Sequence, residues 1–396
     1  MIRRVLEKSL KEDAQYYSVL TLTGPRQSGK TTLAKAAFPD YQYVSLEDID
    51  QRTLAREDPR GFLNALDEHV ILDEVQRVPD IFSYIQTAVD SHDAPGQYIL
   101  TGSNNFLLMN DVSQSLAGRC GVLHLLPFSR AELEEQGTAV PTDPKEIFCN
   151  RETSLDLWNS IFTGFYPRIH DRGIPPAVWH SDYLQTYIER DVRSLVNIGN
   201  LETFERFLAL CASRIGQLLN LSNLALDCGI SVDTAKRWIS VLKTSFLVYL
   251  LSPHHSNFNK RIIKSPKLYF YDTGLVCNLL GIRNVEQLVS HPLRGYLFEN
   301  YVLSEVSKLY LHNRRIPPIY FWRDKTGHEI DLLIEENGQL FPFEIKSGQT
   351  LSSDMFKTLV WWSKLSGRPL GKASLVYGGN DNRTWKGISV YPWFGI

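Results

Sequence analysis

The sequence predicts an α/β protein in three parts: an N-terminal unit built on a parallel sheet, a mainly helical middle, and a C-terminal mixed α/β unit. Three observations carry this expectation. A glycine-rich loop pattern lies between a strand-like and a helix-like run at residues 24–31. Two short helical runs meet at Gly229, and two apolar-alternating runs meet at Asn337-Gly338. The last pair carries two acids and a lysine at fixed positions.

The gross numbers set bounds first. A chain of 396 residues with 43% hydrophobic residues has room for two or three ordinary cores. A net charge of −2 gives no bulk attraction to nucleic acid, so any DNA-binding surface has to be a local patch. The five cysteines (Cys120, Cys149, Cys211, Cys228 and Cys277) are odd in number and never form a CxxC pair. They read as reduced thiols. No apolar run approaches a membrane span and the N-terminus lacks a signal-peptide core, so a cytoplasmic protein with no membrane partner is expected.

The first part is expected over residues 1–135. Short strands at 19–23, 43–46, 70–72 and 98–101 alternate with helical stretches, the pattern of a parallel sheet. Gly24-Pro25-Arg26-Gln27-Ser28-Gly29-Lys30-Thr31 fits the eight-residue P-loop pattern in full, and Thr32 continues into the helix. The glycines let backbone N–H groups wrap phosphates at a helix N-terminus whose dipole favours negative charge. Lys30 is then placed for the β- and γ-phosphates, and the Thr31 hydroxyl for Mg²⁺. Residues 70–74 form an apolar strand ending in Asp73 and Glu74. Asp73 suits the Mg²⁺ shell, and Glu74 suits orienting or deprotonating an attacking water. ATP and Mg²⁺ are therefore the expected cofactors, with metal binding without turnover as the alternative. Ser103 or Asn104, after the strand at 98–101, is the expected γ-phosphate sensor. Arg119 could complete a neighbouring subunit's site as an arginine finger, or be a solvated surface residue.

Residues 136–153 are rich in polar and turn-forming types and are expected to be a linker. The helical middle is placed at 154–285. Within it, a short helix, a turn at Gly229 and a second helix capped by Ser231 read as a helix-turn-helix, with a wing strand at 246–251. Lys236, Arg237 and Lys243 decorate the second helix, either for DNA contact or as solvated charges. Lys260, Arg261, Lys264 and Lys267 either extend that basic patch or belong to a half-buried strand.

The C-terminal unit is placed at 290–396. Asn337-Gly338 is a strong signal for a two-residue hairpin turn. Pairing residues equidistant from that turn puts Asp331 opposite Glu344, at a non-hydrogen-bonded position where Cβ atoms approach to roughly 4.5–5.5 Å. Facing carboxylates repel unless a cation sits between them or one takes a proton. Lys346 projects from the same face, and Glu299, on a helical stretch ahead of the hairpin, offers a third acid. A divalent-metal phosphodiesterase site follows: Glu299, Asp331 and Glu344 as ligands, Lys346 polarising the water or steadying charge. The same register puts Glu329 opposite Lys346, which makes an ion pair between them the alternative use of that lysine.

These residues also carry a resemblance. GPRQSGKTT and LDEVQRVPD resemble the AAA-superfamily P-loop ATPases of bacteria and archaea. YIERDV, PKLYFYDTGL, the helix-turn-helix and GHEIDLLIE with FEIKSG resemble the uncharacterised module usually fused to them. Its tail looks like the restriction-endonuclease-like PD-(D/E)xK fold, whose pattern also occurs in Holliday-junction resolvases. The resemblance implies nucleotide roles for Lys30, Thr31, Asp73 and Glu74. It places Arg119 in the segment that supplies the finger, and maps the nuclease pattern onto Glu299, Asp331, Glu344 and Lys346. Expected, then, is an oligomeric Mg²⁺-dependent ATPase acting on DNA, branched DNA included, with a nuclease-like site. The alternative is a nucleotide-controlled switch that binds nucleic acid or protein without cleaving.

Overall fold

The computed structural model describes residues 2–102, 115–137, 139–149, 151–188, 201–254 and 263–396, and the statements below concern those residues. They fall into two compact units: residues 1–128 with 244–246 and 311–315, and the remainder.

The first unit begins with helix α1 (Leu6–Asp13), strand β1 (Val19–Thr23) and helix α2 (Lys30–Ala37). Strands β2 (Gln42–Ser45) and β3 (Val70–Asp73), helix α3 (Ile81–Ser91), and strands β4 (Tyr98–Gly102) and β5 (Cys120–His124) follow. The strands form one parallel sheet in the order β2-β3-β4-β1-β5. Leu20, Leu22, Ile71 and Ile99 pack with α1 and α2, while Val70, Leu72 and Leu100 pack on the other face with Ile85 and Val89 of α3. A sheet covered on both faces needs apolar residues at consecutive positions, which is why these strands read as short apolar runs. The order has one consequence for chemistry. Strand β4 stands between β1, which leads into the phosphate loop, and β3, which ends in Asp73.

In the second unit, helices α4 (Leu221–Cys228) and α5 (Val232–Thr244) join through Gly229, and Ser231 caps α5 by accepting from the Thr234 N–H (3.1 Å). A two-stranded antiparallel ribbon follows, β6 (Val248–Leu251) with β7 (Lys267–Phe270). Helix α6 (Arg294–His312) leads to β8 (Ile319–Arg323), β9 (Glu329–Glu336) and β10 (Gln339–Lys346). Helix α7 (Lys357–Ser366), β11 (Ser374–Tyr377), β12 (Arg383–Trp385) and β13 (Ile388–Pro392) complete a six-stranded mixed sheet in the order β12-β13-β11-β10-β9-β8. Leu359 and Trp362 of α7 pack with Leu333, Leu340, Leu375 and Val390.

The hairpin has the expected register. Gln339 pairs with Glu336, and the ladder runs to Phe343 opposite Leu332. Asn337 and Gly338 take φ of 52° and 71°, the positive pair of a type I′ turn. Residues 136–153 correct the expectation of a linker. Ile147 and Phe148 are buried, the Phe148 ring lies 5.3 Å from Phe343 and 6.0 Å from Tyr391, and the Cys149 N–H donates to the Gly395 carbonyl at 2.9 Å. Two large apolar side chains anchor a segment whose average composition is polar.

Open space surrounds the position a Gly338 Cβ would occupy, so a side chain there meets only the backbone penalty. Gly338→Ala is expected to cost about 1–2 kcal/mol through its left-handed φ, read as a lower melting temperature. An unchanged melting temperature would refute this account of the turn.

Candidate functional site

The phosphate loop is held from behind. A Cβ on Gly24 would lie 2.1 Å from the Leu125 carbonyl oxygen, and its φ of 151° is outside the usual range of other residues, so only glycine fits. Buried Arg4 donates to the Ser28 carbonyl (2.8 Å) and the Leu126 carbonyl (2.7 Å), tying the loop to the chain leaving β5. Lys30 folds back over its own loop and donates to the carbonyls of Gly24 (3.0 Å) and Pro25 (2.7 Å). Phosphate oxygens are stronger acceptors for that ammonium than carbonyls. Ser28 Oγ is buried with no hydrogen-bond partner among the described residues, Arg26 is half-buried, and Gln27 and Thr32 are exposed.

The loop meets the acids where expected. The Thr31 hydroxyl lies 3.1 and 3.0 Å from the two oxygens of Asp73. Tyr43 donates to the same carboxylate at 2.8 Å, and the Thr101 hydroxyl is a further donor to it. Burial and then Asp73 push the Tyr43 phenol up to about 12, so it keeps its proton and remains a donor. Thr31 and Asp73 thus fit a Mg²⁺ ion. Glu74 adopts a left-handed backbone, φ 55°, and its carboxylate takes a 2.5 Å bond from Gln76 Nε2. Such a conformation costs a non-glycine residue of order 1–3 kcal/mol, and strain of this kind clusters at functional sites.

Ser103 and Asn104 lie outside the described residues. Thr101, one turn of the pleat earlier, is the residue that sequence reasoning missed; its signal was its place at the end of the strand beside β3. Arg119 precedes β5, whose Cys120 pairs with Val19 and whose His124 pairs with Thr23. It therefore sits at the end of the sheet opposite the phosphate loop, roughly 20 Å away along the strand direction. Its Nε and Nη2 lie 2.5 and 3.1 Å from the Asp90 carboxylate. Arg119 cannot complete the site of its own chain.

In the second unit the sheet is interrupted at the acids. Between the pairs Tyr320–Leu333 and Trp322–Ile330, one residue of β8 faces two of β9, so Asp331 and Leu332 form a β-bulge. The ladder with β10 ends at Leu332, and the next N–H of β10, that of Ile345, donates to Asp331 Oδ2 at 2.8 Å. The bulge thus turns the Asp331 carboxylate toward β10. Lys346 joins the two expected acids: its Nζ lies 2.6 Å from Glu344 Oε1 and 3.6 Å from Asp331 Oδ2. Glu344 is 4% exposed, and its Oε2 has no hydrogen-bond partner among the described residues.

The alternative pair of Glu329 with Lys346 is not found among the contacts of the described residues. Glu329 bonds Lys267 and, at 2.9 Å, Arg323, because the β9–β10 register ends before it. Lys267 is not part of a basic surface either: it is 1% exposed, bonded to Glu329 and, at 3.0 Å, to Glu299, which also accepts from Tyr269. Among the described residues the group of three or more carboxylates that come within 4.8 Å of one another is Glu299, Glu329 and Asp331, a set that contains Glu329 where Glu344 was expected. Asn300 was also missed; its amide takes the Phe270 N–H (2.7 Å) and gives to the Phe270 carbonyl (2.9 Å), fixing β7 on α6.

Burial raises the carboxyls of both Glu299 and Glu344 above their usual range; Lys267 pulls Glu299 back, and the Asp331 charge lifts Glu344 further. For Lys346, burial favours loss of charge, but Asp331 and Glu344 outweigh it and keep the ammonium.

Family models match three stretches of the chain: an AAA domain at 16–134, a domain of unknown function (DUF8612) at 154–286, and another (DUF4143) at 294–394. Uncharacterised proteins of Mycobacterium tuberculosis and Mycobacterium bovis are each 31% identical over 363 residues, 90% of this chain and 77% of theirs. An uncharacterised protein of Methanocaldococcus jannaschii is 22% identical over 342 residues, 81% and 73% of the two chains. A solved Walker-type ATPase of Pyrococcus abyssi aligns with a TM-score of 0.39 and 15% identity, over 69% of this chain and 94% of that one. No helix among the described residues is long and apolar enough to cross a membrane.

The raised carboxyls set a pH dependence. A carboxyl whose folded pKa lies above its unfolded one stabilises the fold below the ordinary carboxylate range, and that contribution is lost as pH rises through the folded value. In chelator, the melting temperature is expected to fall as pH climbs out of the carboxylate range. Glu344→Gln should flatten part of that fall, because its amide is neutral throughout. Parallel curves for the two proteins would refute the assignment.

Proposed function

The chain belongs to the family of these mycobacterial proteins, and we propose, from its own residues, that it binds and hydrolyses ATP with Mg²⁺ and acts on DNA through a metal-dependent, nuclease-like C-terminal site. The observation that carries the ATPase half is the meeting of Lys30, Thr31 and Asp73 at the ends of adjacent elements, with Glu74 beside them. Lys30 would bind the β- and γ-phosphates, Thr31 and Asp73 would hold Mg²⁺, and Glu74 would take the proton of the attacking water. The bound ion would offset charge on the phosphates. Arg119, at the far end of the sheet, would serve the site of a neighbouring copy, which makes a homo-oligomer part of this reading.

The nuclease half is supported by Lys346 bridging Asp331 and Glu344, with an unpartnered carboxylate oxygen beside it. On this reading these residues would play the parts of the restriction-endonuclease-like pattern, with Glu299 as its helical acid. A divalent ion held by Asp331 and Glu344 would polarise a phosphodiester and acidify water. Lys346 would steady the charge that develops on the phosphate. Helices α4 and α5 with their ribbon would serve as a winged helix-turn-helix, and Lys236, Arg237 and Lys243, all exposed on α5, would give a local patch of the kind a net-acidic chain needs to hold DNA. One observation favours the second reading, a nucleotide-controlled switch that binds without cleaving: Lys267 already neutralises two of the acids.

Lys30→Ala is expected to abolish ATP binding, and Glu74→Gln to keep binding while slowing hydrolysis by on the order of 10²–10⁴, both read by nucleotide titration and phosphate release. Tight ATP binding by Lys30→Ala would sink the P-loop assignment. With Mg²⁺ or Mn²⁺, wild-type protein should cut at least one of linear, flapped or four-way DNA, and Asp331→Ala should lose cutting but retain ATPase activity. No cutting of any of them by the wild type would hand the C-terminal unit to the switch reading.

A further inference from the structure

Four acids in and around the β9–β10 hairpin fall into two sets by what already neutralises them. Glu299 and Glu329 share one ammonium, that of Lys267, and each has a further donor, Tyr269 for Glu299 and Arg323 for Glu329. Asp331 and Glu344 share Lys346, which is 37% exposed at its side chain, and one oxygen of Glu344 has no partner among the described residues. The two lysines differ in freedom. Lys346 ends a strand and reaches water. Lys267 is 1% exposed, its ammonium also lies 5.5 Å from the Phe321 ring, and its strand is clamped to α6 by both hydrogen bonds of the Asn300 amide. An ammonium placed among carboxylates fills the position, and supplies part of the charge, that a cation would.

We propose that Lys267 is a resident counter-ion of the C-terminal acid cluster, so that the cluster takes a single divalent cation, at Asp331 and Glu344, and is barred from a second at Glu299 and Glu329. This rests on the reading of the cluster as a metal site and adds to it the residue that fixes how many ions it holds. With Lys267 in place, one carboxylate oxygen from each of Glu299, Glu329 and Asp331 already lies within 4.8 Å of the others, the spread of a carboxylate cation site. Lys267 is a positioning residue here. It lies outside the acids and lysine of the hairpin, and comes from the ribbon that follows the helix-turn-helix.

The test is a count of bound Mn²⁺ by electron paramagnetic resonance, on the full chain carrying Thr31→Ala to remove the P-loop ion. One magnetically isolated ion per chain is expected, lost on adding Asp331→Asn. Adding Lys267→Met instead should double the count and couple the two ions magnetically. One ion with or without Lys267 overturns the role given to Lys267 and leaves the metal site standing, as do two coupled ions with Lys267 in place. No ion with Lys267 in place overturns the metal site itself, and this proposal with it. Where Lys267→Met does not fold in chelator, the count on the Lys267-containing chain decides alone: one isolated ion supports the proposal, and two overturn it.

Discussion

A carboxylate taken out of water has to be bonded, paired with a cation or protonated, and that requirement fixes the parts of this protein that matter for chemistry. Asp73 is 7% exposed and gathers hydroxyls from α2, β2 and β4. Those three donors converge because β3 lies between β2 and β4 in the sheet, with β1, which leads into α2, next to β4. Asp331 is 8% exposed and is met by a backbone N–H of β10 and by Lys346. Here the convergence depends on a bulge that ends the ladder and releases that N–H.

The two solutions differ in what they leave for a ligand. Hydroxyls satisfy lone pairs without bringing a charge of their own, so the three donors on Asp73 do nothing to offset an incoming cation. Ammonium groups satisfy lone pairs and cancel charge together, so the C-terminal acids are partly neutralised before any ion arrives. A neutral-donor site is poised for a cation that comes and goes with nucleotide. A lysine-compensated site is more selective, because an ion has to improve on charges already in place.

Local signals were legible in the sequence and long-range ones were not. The P-loop, the apolar strands and the Asn337-Gly338 turn each depend on a few neighbouring residues, and each stands within a residue or two of its expected place. The register also survived as far as Phe343 opposite Leu332, because a two-residue turn counts residues reliably. It failed beyond, at Glu329, because the bulge answers to β8, a strand the hairpin pattern does not contain. Lys267, Asn300, Arg4 and Thr101 act on residues 20 to 120 or more positions away in several cases, and no spacing rule reaches that far. Residues 136–153 misled in another way: average composition is blind to two anchors such as Ile147 and Phe148.

The turn that sets the C-terminal register is also a chemical clock. Both of its residues are exposed, and an asparagine followed by glycine is the pair most open to attack of the backbone nitrogen on the side-chain amide. That reaction expels ammonia and, on hydrolysis, chiefly yields isoaspartate, which adds a methylene to the main chain. In most loops the change is a blemish. Here it falls at the hinge from which every later pair of β9 and β10 is counted, so ageing of one surface amide would be felt at buried acids several residues away.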